Sequence, residues 1–558
     1  MKKVSEYESP RRIHNPALSF TVALVILVLL LFILIPLFSI LKGSFFGDDG
    51  VFSFRAYRQL FHDAKFITAF TNTMKLGIVV GFTSTIVGFL FAYVKQCVRS
   101  PFKKLFSVIE IMPIISPPFV LSLSAITLLG RRGLITYSLL HIQNWNIYGF
   151  PGLVIVQTLT FFPIAALTLD GLLENFDVSM EEAARNMGAG RWKVFYSVML
   201  PMLASGLANV FLLSFIESVT DFSNPMILGG GYKTLASQIY IQAIGNYDMK
   251  LGTTIAVTLL LVTLIVFWIQ KMVLDNRSYV TLTGKASRVR EMIDDKGIVI
   301  VTNAICLVIS FWVLLFYLFV VLGSFFKTWG ADYRLVLDQY KYVFRYSMKP
   351  VKDTLLIALL VAPICGVFSM LVAFLLVRKK FVGKRFVEYV SMLGMAVPGT
   401  VFGLGYILTF NTKPLVLTNT LWILVIVLVM TRLPVGVRSG MSSLRQIDPS
   451  IEEAAMDLGA STSKVFSSIT LPLIKSAFFT GLVFSFIKSM TAISAVIFLV
   501  SAKYNLLTVR VMQHVDKGQF GYASALSVIL MIIVFVTVGI LNVILRHLGQ
   551  SSDKNFLA

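Results

Sequence analysis

The stretch EEAARNMGAGRWKVFYSVMLP, residues 181–201, decides how the rest of the chain is interpreted, because it occurs twice. The second copy, EEAAMDLGASTSKVFSSITLP, spans residues 452–472. A polar segment repeated in an apolar chain indicates a duplication with one copy in each half. Positions 271 residues apart carry the same residue in these pairs: Glu182 and Glu453, Ala183 and Ala454, Ala184 and Ala455, Gly188 and Gly459, Pro201 and Pro472.

Each copy has the pattern of two short helices separated by a glycine turn. Ser179 stands three residues before Glu182, and Ser450 has the same place in the second copy. This spacing predicts a capping box at the start of the first helix. The glycine of each copy then suits the left-handed residue that ends a helix. The proline suits the first turn of the helix that follows.

The composition is that of a polytopic membrane protein. Of the 558 residues, 56% are hydrophobic and only 14% are charged, and the mean hydropathy is +0.81. A soluble protein carries about 25% charged residues. The net charge of +21 comes from basic residues in short loops, as the positive-inside rule expects, so we predict no nucleic-acid partner.

The apolar runs predict an all-α fold of twelve transmembrane helices, arranged as two repeats of six. The Lys and Arg bias places both termini and both repeated loops in the cytoplasm. We therefore divide the chain into halves at 1–285 and 286–558, with polar loops at 174–203 and 442–474. The predicted spans are 18–41, 70–94, 106–129, 151–173, 203–227, 251–274, 298–323, 353–377, 386–410, 417–437, 474–500 and 522–546.

Several kinds of site are missing from the sequence. No GxxxxGK[ST] motif occurs, so the chain offers no phosphate-cradling loop. The three cysteines and five histidines are dispersed, which predicts neither a disulfide framework nor a metal site. We expect no catalytic residues and no cofactor, and any ATP hydrolysis must come from a partner.

The repeated stretch, with EAA, then Gly, then a hydrophobic residue and Pro, resembles the signature of permease subunits in binding-protein-dependent ABC importers. The resemblance implies that each repeated loop is a cytoplasmic coupling helix that docks on an ATPase subunit, through the eight Glu, Ala and Gly positions paired above. It further implies two ATPase copies, an extracytoplasmic substrate-binding protein and a multi-pass location in the bacterial inner membrane. The other interpretation of one such stretch is an ordinary capped loop helix.

Charged residues recur at the same place in the fifth span of each half. Glu217 and Lys488 each lie sixteen residues after the proline of their copy, within ESVTDFS and KSMTAIS. Charges at membrane depth usually face a partner charge or a water-filled path. The sequence therefore predicts an ion pair across the interface of the halves, with Asp221 lining the path. Alternatively, each charge snorkels towards the lipid head groups.

The segment SNPMILGGGYKTLASQIY, residues 223–240, contains Asn-Pro and three consecutive glycines. These residues predict a turn-rich loop outside the membrane. It is either a plain connector, or a surface that meets a binding protein or gates the path.

Within the family, ESVTDFSNPMILGGG and TAISAVIFLVSAKYNLLTV look most like fused permeases for ferric iron. Similar fused permeases serve thiamine, phosphonates and phosphorylated sugars. Glu217 and Asp221 are the hard oxygen ligands that Fe³⁺ favours, whereas Lys488 suits an anion. A secondary transporter is the alternative of another class, but it does not explain the duplicated coupling loops.

Overall fold

The computed structural model describes residues 16–46, 50–174, 176–275, 291–465, 468–469 and 471–547. Most of these residues are helical, as the apolar runs predict. The helices of the first half are α1 (Pro16–Leu29), α2 (Ile35–Phe45), α3 (Arg55–Leu60), α4 (Ala64–Cys97), α5 (Lys103–Ile115), α6 (Val120–Leu129), α7 (Phe150–Glu174), α8 (Ser179–Asn186), α9 (Arg191–Val194), α10 (Leu200–Thr220), α11 (Ser223–Leu228), α12 (Leu235–Tyr240) and α13 (Met249–Asp275).

The second half repeats this order with its own insertions. A two-stranded antiparallel hairpin, β1 (Phe326–Thr328) and β2 (Asp332–Leu335), follows its first helix. The helices are α14 (Lys296–Gly323), α15 (Asp338–Tyr346), α16 (Met348–Arg378), α17 (Lys384–Ala396), α18 (Gly399–Phe410), α19 (Leu421–Gln446), α20 (Pro449–Asp457), α21 (Thr462–Val465), α22 (Leu471–Met490), α23 (Leu507–Asp516) and α24 (Phe520–His547).

Nine helices in the described ranges are long and apolar enough to cross a membrane. Two further predicted spans, 106–129 and 386–410, are wrong as continuous helices. The pair α5 and α6 is bent by 105°, and the pair α17 and α18 by 113°. Proline lies at both breaks, at Pro117 and Pro118 and again at Pro398, and a residue before proline disfavours the helical conformation.

The predicted spans 203–227 and 474–500 also need correction. Helix α10 ends at Thr220 and α22 at Met490. The chain then leaves the helix axis and forms short buried segments, α11 in the first half and a 3₁₀ turn at Val496–Phe498 in the second. Each half therefore has two helix breaks at membrane depth.

The two halves interlock through their first helices. Helix α2 packs against α18 of the second half, and α14 packs against α6 of the first. The Tyr406 hydroxyl donates to the Phe32 carbonyl at 2.7 Å. A methyl group on Gly405 would lie 2.7 Å from the Pro36 carbonyl oxygen, so this crossing requires glycine. The predicted boundary at 285/286 lies outside the described residues.

Equivalent residues of the halves make equivalent contacts. The Thr73 hydroxyl accepts a hydrogen bond from the Leu235 amide at 2.9 Å. Thr354, which lies 281 residues later, accepts one from the Leu507 amide at 2.8 Å. Each threonine thus binds the first residue of the short helix α12 or α23. The duplication therefore extends to individual hydrogen bonds.

One charged cluster belongs to the first half alone. Lys95 on α4 contacts Glu110 on α5 at 2.5 Å and also pairs with Asp170 on α7. All three side chains are almost fully buried, and Glu110 and Asp170 each have one buried oxygen without a hydrogen-bond partner among the described residues. At the equivalent positions the second half has the buried residues Leu376, Ser391 and Met441.

We expect Lys95→Met to destabilise the protein by about 3–5 kcal/mol, because it leaves two buried carboxylates without their cation. The triple change Lys95→Leu, Glu110→Ser and Asp170→Met installs the residues of the second half and should recover most of the stability. Thermal unfolding in detergent measures both variants. Lys65→Met, at an exposed position of α4, is the control, and equal unfolding temperatures for all four proteins would contradict the prediction.

Candidate functional site: two polar loops and a central cavity

The predicted serine capping box is wrong, because an aspartate just before each first helix accepts the amide hydrogen bond instead. The Asp177 carboxylate accepts from the Ser179 amide at 3.0 Å, and Asp448 accepts from the Ser450 amide at 2.9 Å. These bonds lower the pKa of both aspartates. A lowered pKa means that the cap stabilises the loop at neutral pH and is lost as the pH falls through that pKa. Asp177 and Asp448 are again 271 residues apart.

The predicted glycine turns are confirmed. Gly188 has φ +86° and Gly459 has φ +87°, so both lie in the left-handed region. No atom of the described residues lies within 4 Å of a methyl group added to either, so substitution there is opposed by backbone strain. The residues just before them, Met187 and Leu458, are 82% and 89% exposed. Each loop therefore presents an apolar side chain at the same place.

The paired Glu and Ala positions lie on the helix before this turn, α8 or α20. Glu182 and Ala184 are half-buried and Ala183 is exposed, whereas Glu453 and Ala454 are exposed and Ala455 is half-buried. The two helices therefore offer similar, but not identical, surfaces.

Different ion pairs attach the two loops to the bundle. In the second half, Arg378 at the end of α16 pairs with the buried Glu452 at 3.1 Å. In the first half, Arg185 pairs with Glu291, just before α14, at 3.1 Å. The same segment bonds to the end of α4, where the Ile293 amide donates to the Cys97 carbonyl at 2.8 Å. One end of the bundle therefore contains both loops, together with the start of α14 and the ends of α4 and α16.

A cavity of about 260 Å³ lies where the two halves meet. The structure places all three predicted path residues, Glu217, Asp221 and Lys488, in its wall. The four helix breaks also reach this cavity, since Pro118 and Pro398 line it together with residues that follow α10 and α22. The sequence-predicted charges and the breaks therefore converge on one site.

The cavity has a pseudo-symmetric set of hydroxyl groups. Three hydroxyl residues of the first half have a hydroxyl partner 271 residues later, and all six line the wall, whereas Ser116 lines it without such a partner. The pairs are Thr160 and Thr431, Thr220 and Thr491, and Ser223 and Ser494.

The charges of the cavity do not follow this symmetry. Glu217 is exposed to the cavity and interacts electrostatically with Lys488 and with Arg432 of α19. Among the described residues, no ion pair within 4.0 Å joins Glu217 to Lys488, so the direct contact that we expect from the sequence is not formed. In the first half, Phe161 stands at the position of Arg432.

Asp221 lines the wall, but its carboxylate is occupied by donors of its own half. It accepts from Gln157 at 2.8 Å, from the Asn224 side chain at 2.7 Å and from the Ser223 amide at 2.9 Å. Gln157 in turn accepts from Ser218 at 2.6 Å. Asp221 thus holds the start of α11 in place and is not a free oxygen ligand.

The segment 223–240 is not the exposed loop predicted from its turn residues. Most side chains of α11 and α12 are buried, and only the glycine-rich turn between them reaches the surface. Tyr240 stacks edge-on against Phe222 at 5.4 Å and against Phe498 of the other half at 5.6 Å between ring centroids. Because Phe222 lines the cavity, this aromatic cluster joins the halves beside it.

The profile of one protein family, the binding-protein-dependent transport system inner membrane component, matches the chain twice, at residues 84–277 and 365–553. The chain belongs to this permease family. Its two matches establish a fused permease with two halves.

Three relatives match most of this chain. The ferric transport system permease protein FbpB of Actinobacillus pleuropneumoniae is 35% identical over 528 residues, which cover 92% of this permease and 76% of the relative. The putative ferric transport system permease protein FbpB 1 of Haemophilus influenzae is 37% identical over 494 residues, covering 86% and 77%. The Fe(3+)-transport system permease protein FbpB 2 of the same organism is 22% identical over 469 residues, covering 83% and 87%.

Sequence reasoning missed Arg432 and the hydroxyl pairs of this permease. The signal was present, because Thr160 and Thr431 each stand three residues before a proline, and TLTFFP can be aligned with VMTRLP. Arg432 was overlooked because it has no charged counterpart in the first half.

Glu217 and Asp221 should respond differently to neutralisation. Asp221→Asn replaces an acceptor by a donor opposite Gln157 and Asn224, so we expect a loss of about 1–3 kcal/mol in the free energy of unfolding. Glu217→Gln removes a charge that faces the cavity, so it should leave the unfolding temperature unchanged and impair transport. Unfolding in detergent and uptake into proteoliposomes, measured on both variants, check this, and a destabilised Glu217→Gln would refute the assignment.

Proposed function

We propose that this permease forms the path of an ATP-driven importer for ferric iron. The observation that carries the proposal is the cavity at the interface of the halves, with one exposed carboxylate and seven hydroxyls in its wall. Carboxylate and hydroxyl oxygens suit a hard cation. The printed names of the relatives, which describe ferric transport, favour iron over other cargoes. Glu217 is the charged oxygen donor that this assignment uses.

Thiamine, phosphonates and phosphorylated sugars are the other cargoes that fused permeases of this kind serve. Arg432 and Lys488 would suit the anionic ones, whereas the similarity over most of the chain favours iron. A secondary transporter would need no docking loops, and the paired glycine turns and exposed Met187 and Leu458 argue against it.

Each repeated loop is proposed to dock one ATPase subunit. The support is the pair of equivalent exposed apolar residues beside equivalent left-handed glycines, on loops that share one end of the bundle. Two ATPase copies would then bind one copy of this chain and supply ATP hydrolysis. This end, with both termini, faces the cytoplasm in our proposal, and a substrate-binding protein meets the opposite face of the inner membrane. The halves 1–285 and 286–558 each provide one loop and half of the path.

Gly188→Val and Gly459→Val should each uncouple transport, because a β-branched residue resists the left-handed conformation. Binding of the ATPase subunit and ATP-driven uptake should both fall. Gly190→Val is a matched control in the same loop, since Gly190 has open space around it, φ of −63° and a serine, Ser461, at its repeat position. Full ATPase binding by Gly188→Val and by Gly459→Val would contradict the docking proposal.

The cargo is tested by uptake of ⁵⁵Fe³⁺ into proteoliposomes that contain this chain, the ATPase and the binding protein encoded with it. We expect ATP-dependent accumulation that excess thiamine, phosphonate or phosphorylated sugar does not inhibit. Uptake of one of these compounds in place of iron would overturn the cargo assignment. Equal uptake with and without ATP would overturn the ATP-driven mechanism.

A further inference from the structure

The cavity has a charge balance that a path for a bare ferric ion does not explain. Four charged residues lie in its described wall: Glu217, Asp221, Arg432 and Lys488. Asp221 is committed to hydrogen bonds within its own half. The remaining charges are two cations of the second half and one carboxylate of the first. A trivalent cation is repelled by each fixed cation roughly three times as strongly as a monovalent one at the same distance.

The two cations are held beside each other by the backbone. The Arg432 guanidinium donates from one terminal nitrogen to the carbonyl oxygen of Lys488 at 3.1 Å. This bond anchors the guanidinium next to the residue that carries the second positive charge. Among the described residues, the buried Arg432 Nε has no hydrogen-bond partner, and no carboxylate lies within 4.0 Å of either cation. Two neighbouring cations with donors to spare are the arrangement that an anion satisfies.

We propose that Arg432 and Lys488 form a binding site for a small oxyanion, and that ferric iron crosses this permease together with that anion. The inference rests on the proposed ferric function. A guanidinium recognises phosphate-like oxygen pairs in a planar, bidentate geometry, and an ammonium adds a point charge. The oxyanion lowers the net charge of the cargo, while Glu217 of the first half faces the metal.

The asymmetry of the duplication supports this division of roles. The hydroxyls recur in both halves, whereas Glu217 stands opposite Lys488 and Phe161 opposite Arg432. One side of the cavity is thus suited to the cation and the other to the anion. A complex of ferric iron with the oxyanion therefore has a fixed orientation in this cavity.

The experiment uses proteoliposomes that contain this chain and its ATPase. The binding protein is loaded with ⁵⁵Fe³⁺ and added outside, together with ³³P-phosphate or, in a second arm, ¹⁴C-bicarbonate. We expect one of the two anions to enter with iron at a constant ratio and only with ATP. Iron uptake should fall when both anions are omitted. The two arms identify which oxyanion the site takes.

Variants of the two cations test whether they bind the anion. Arg432→Gln and Lys488→Gln should each lower anion and iron uptake about tenfold or more, the usual effect of a lost charged hydrogen bond, and Arg432→Lys should retain part of it. Arg438→Gln, at an exposed position of the same helix, is the control, and thermal unfolding shows that each variant is folded.

The outcomes separate the two proposals. If iron enters without either labelled anion, and at the same rate when both anions are omitted, the oxyanion site is overturned and the ferric function stays intact. Absence of ⁵⁵Fe uptake by the unmodified chain would overturn the ferric function and the inference together. Anion entry that is unaffected by Arg432→Gln and Lys488→Gln would overturn the assignment to these residues.

Discussion

The hydrocarbon region of a membrane provides no water for backbone polar groups, and the architecture of this permease follows from that constraint. A helix can break at membrane depth only where protein or a polar cavity satisfies the freed groups. The four breaks near Pro118, Asp221, Pro398 and Ala492 all border the central cavity. Asp221 accepts from the amides that start α11, and the Thr508 hydroxyl donates to the Ala492 carbonyl at 2.6 Å. The breaks thus create the polar site, and the site makes the breaks tolerable.

Fusion of two halves in one chain allows the site to be asymmetric. A complex of two identical subunits would place the same charge on both sides of the cavity, and like charges across it would repel. Here the duplicated positions hold Glu217 against Lys488 and Phe161 against Arg432, while hydroxyls and the helix-binding threonines Thr73 and Thr354 remain paired. The symmetry is therefore lost at the charged positions of the cavity wall and kept at its paired hydroxyls.

The features that depend on local backbone chemistry could be predicted from the sequence. Gly188 and Gly459 adopt the predicted left-handed conformation, and the predicted path charges lie in one cavity. The bends in the third and ninth spans could not be predicted from hydropathy, because apolar residues continue through Pro118 and Pro398. The capping pattern predicts Ser179 in place of Asp177 at the start of α8, because it does not distinguish two polar residues placed two apart. The place of Arg432 in the cavity depends on Glu217 and Lys488, which are distant from it in sequence.

The loops and the cavity are connected by single helices. The apolar span Arg191–Thr220 is continuous and begins within the first repeated loop, so Glu217 lies at its far end, roughly 39 Å away at 1.5 Å per residue. On the other side, α19 carries Arg432 and leads into α20 through two residues, and the Arg378–Glu452 ion pair fixes α20 to α16. A displacement of either loop therefore moves one charge of the cavity relative to the other. Because electrostatic energy falls with distance, such a movement changes how strongly the cavity holds a charged cargo. In the function that we propose, docking on the loops thus controls how strongly the cavity holds its cargo.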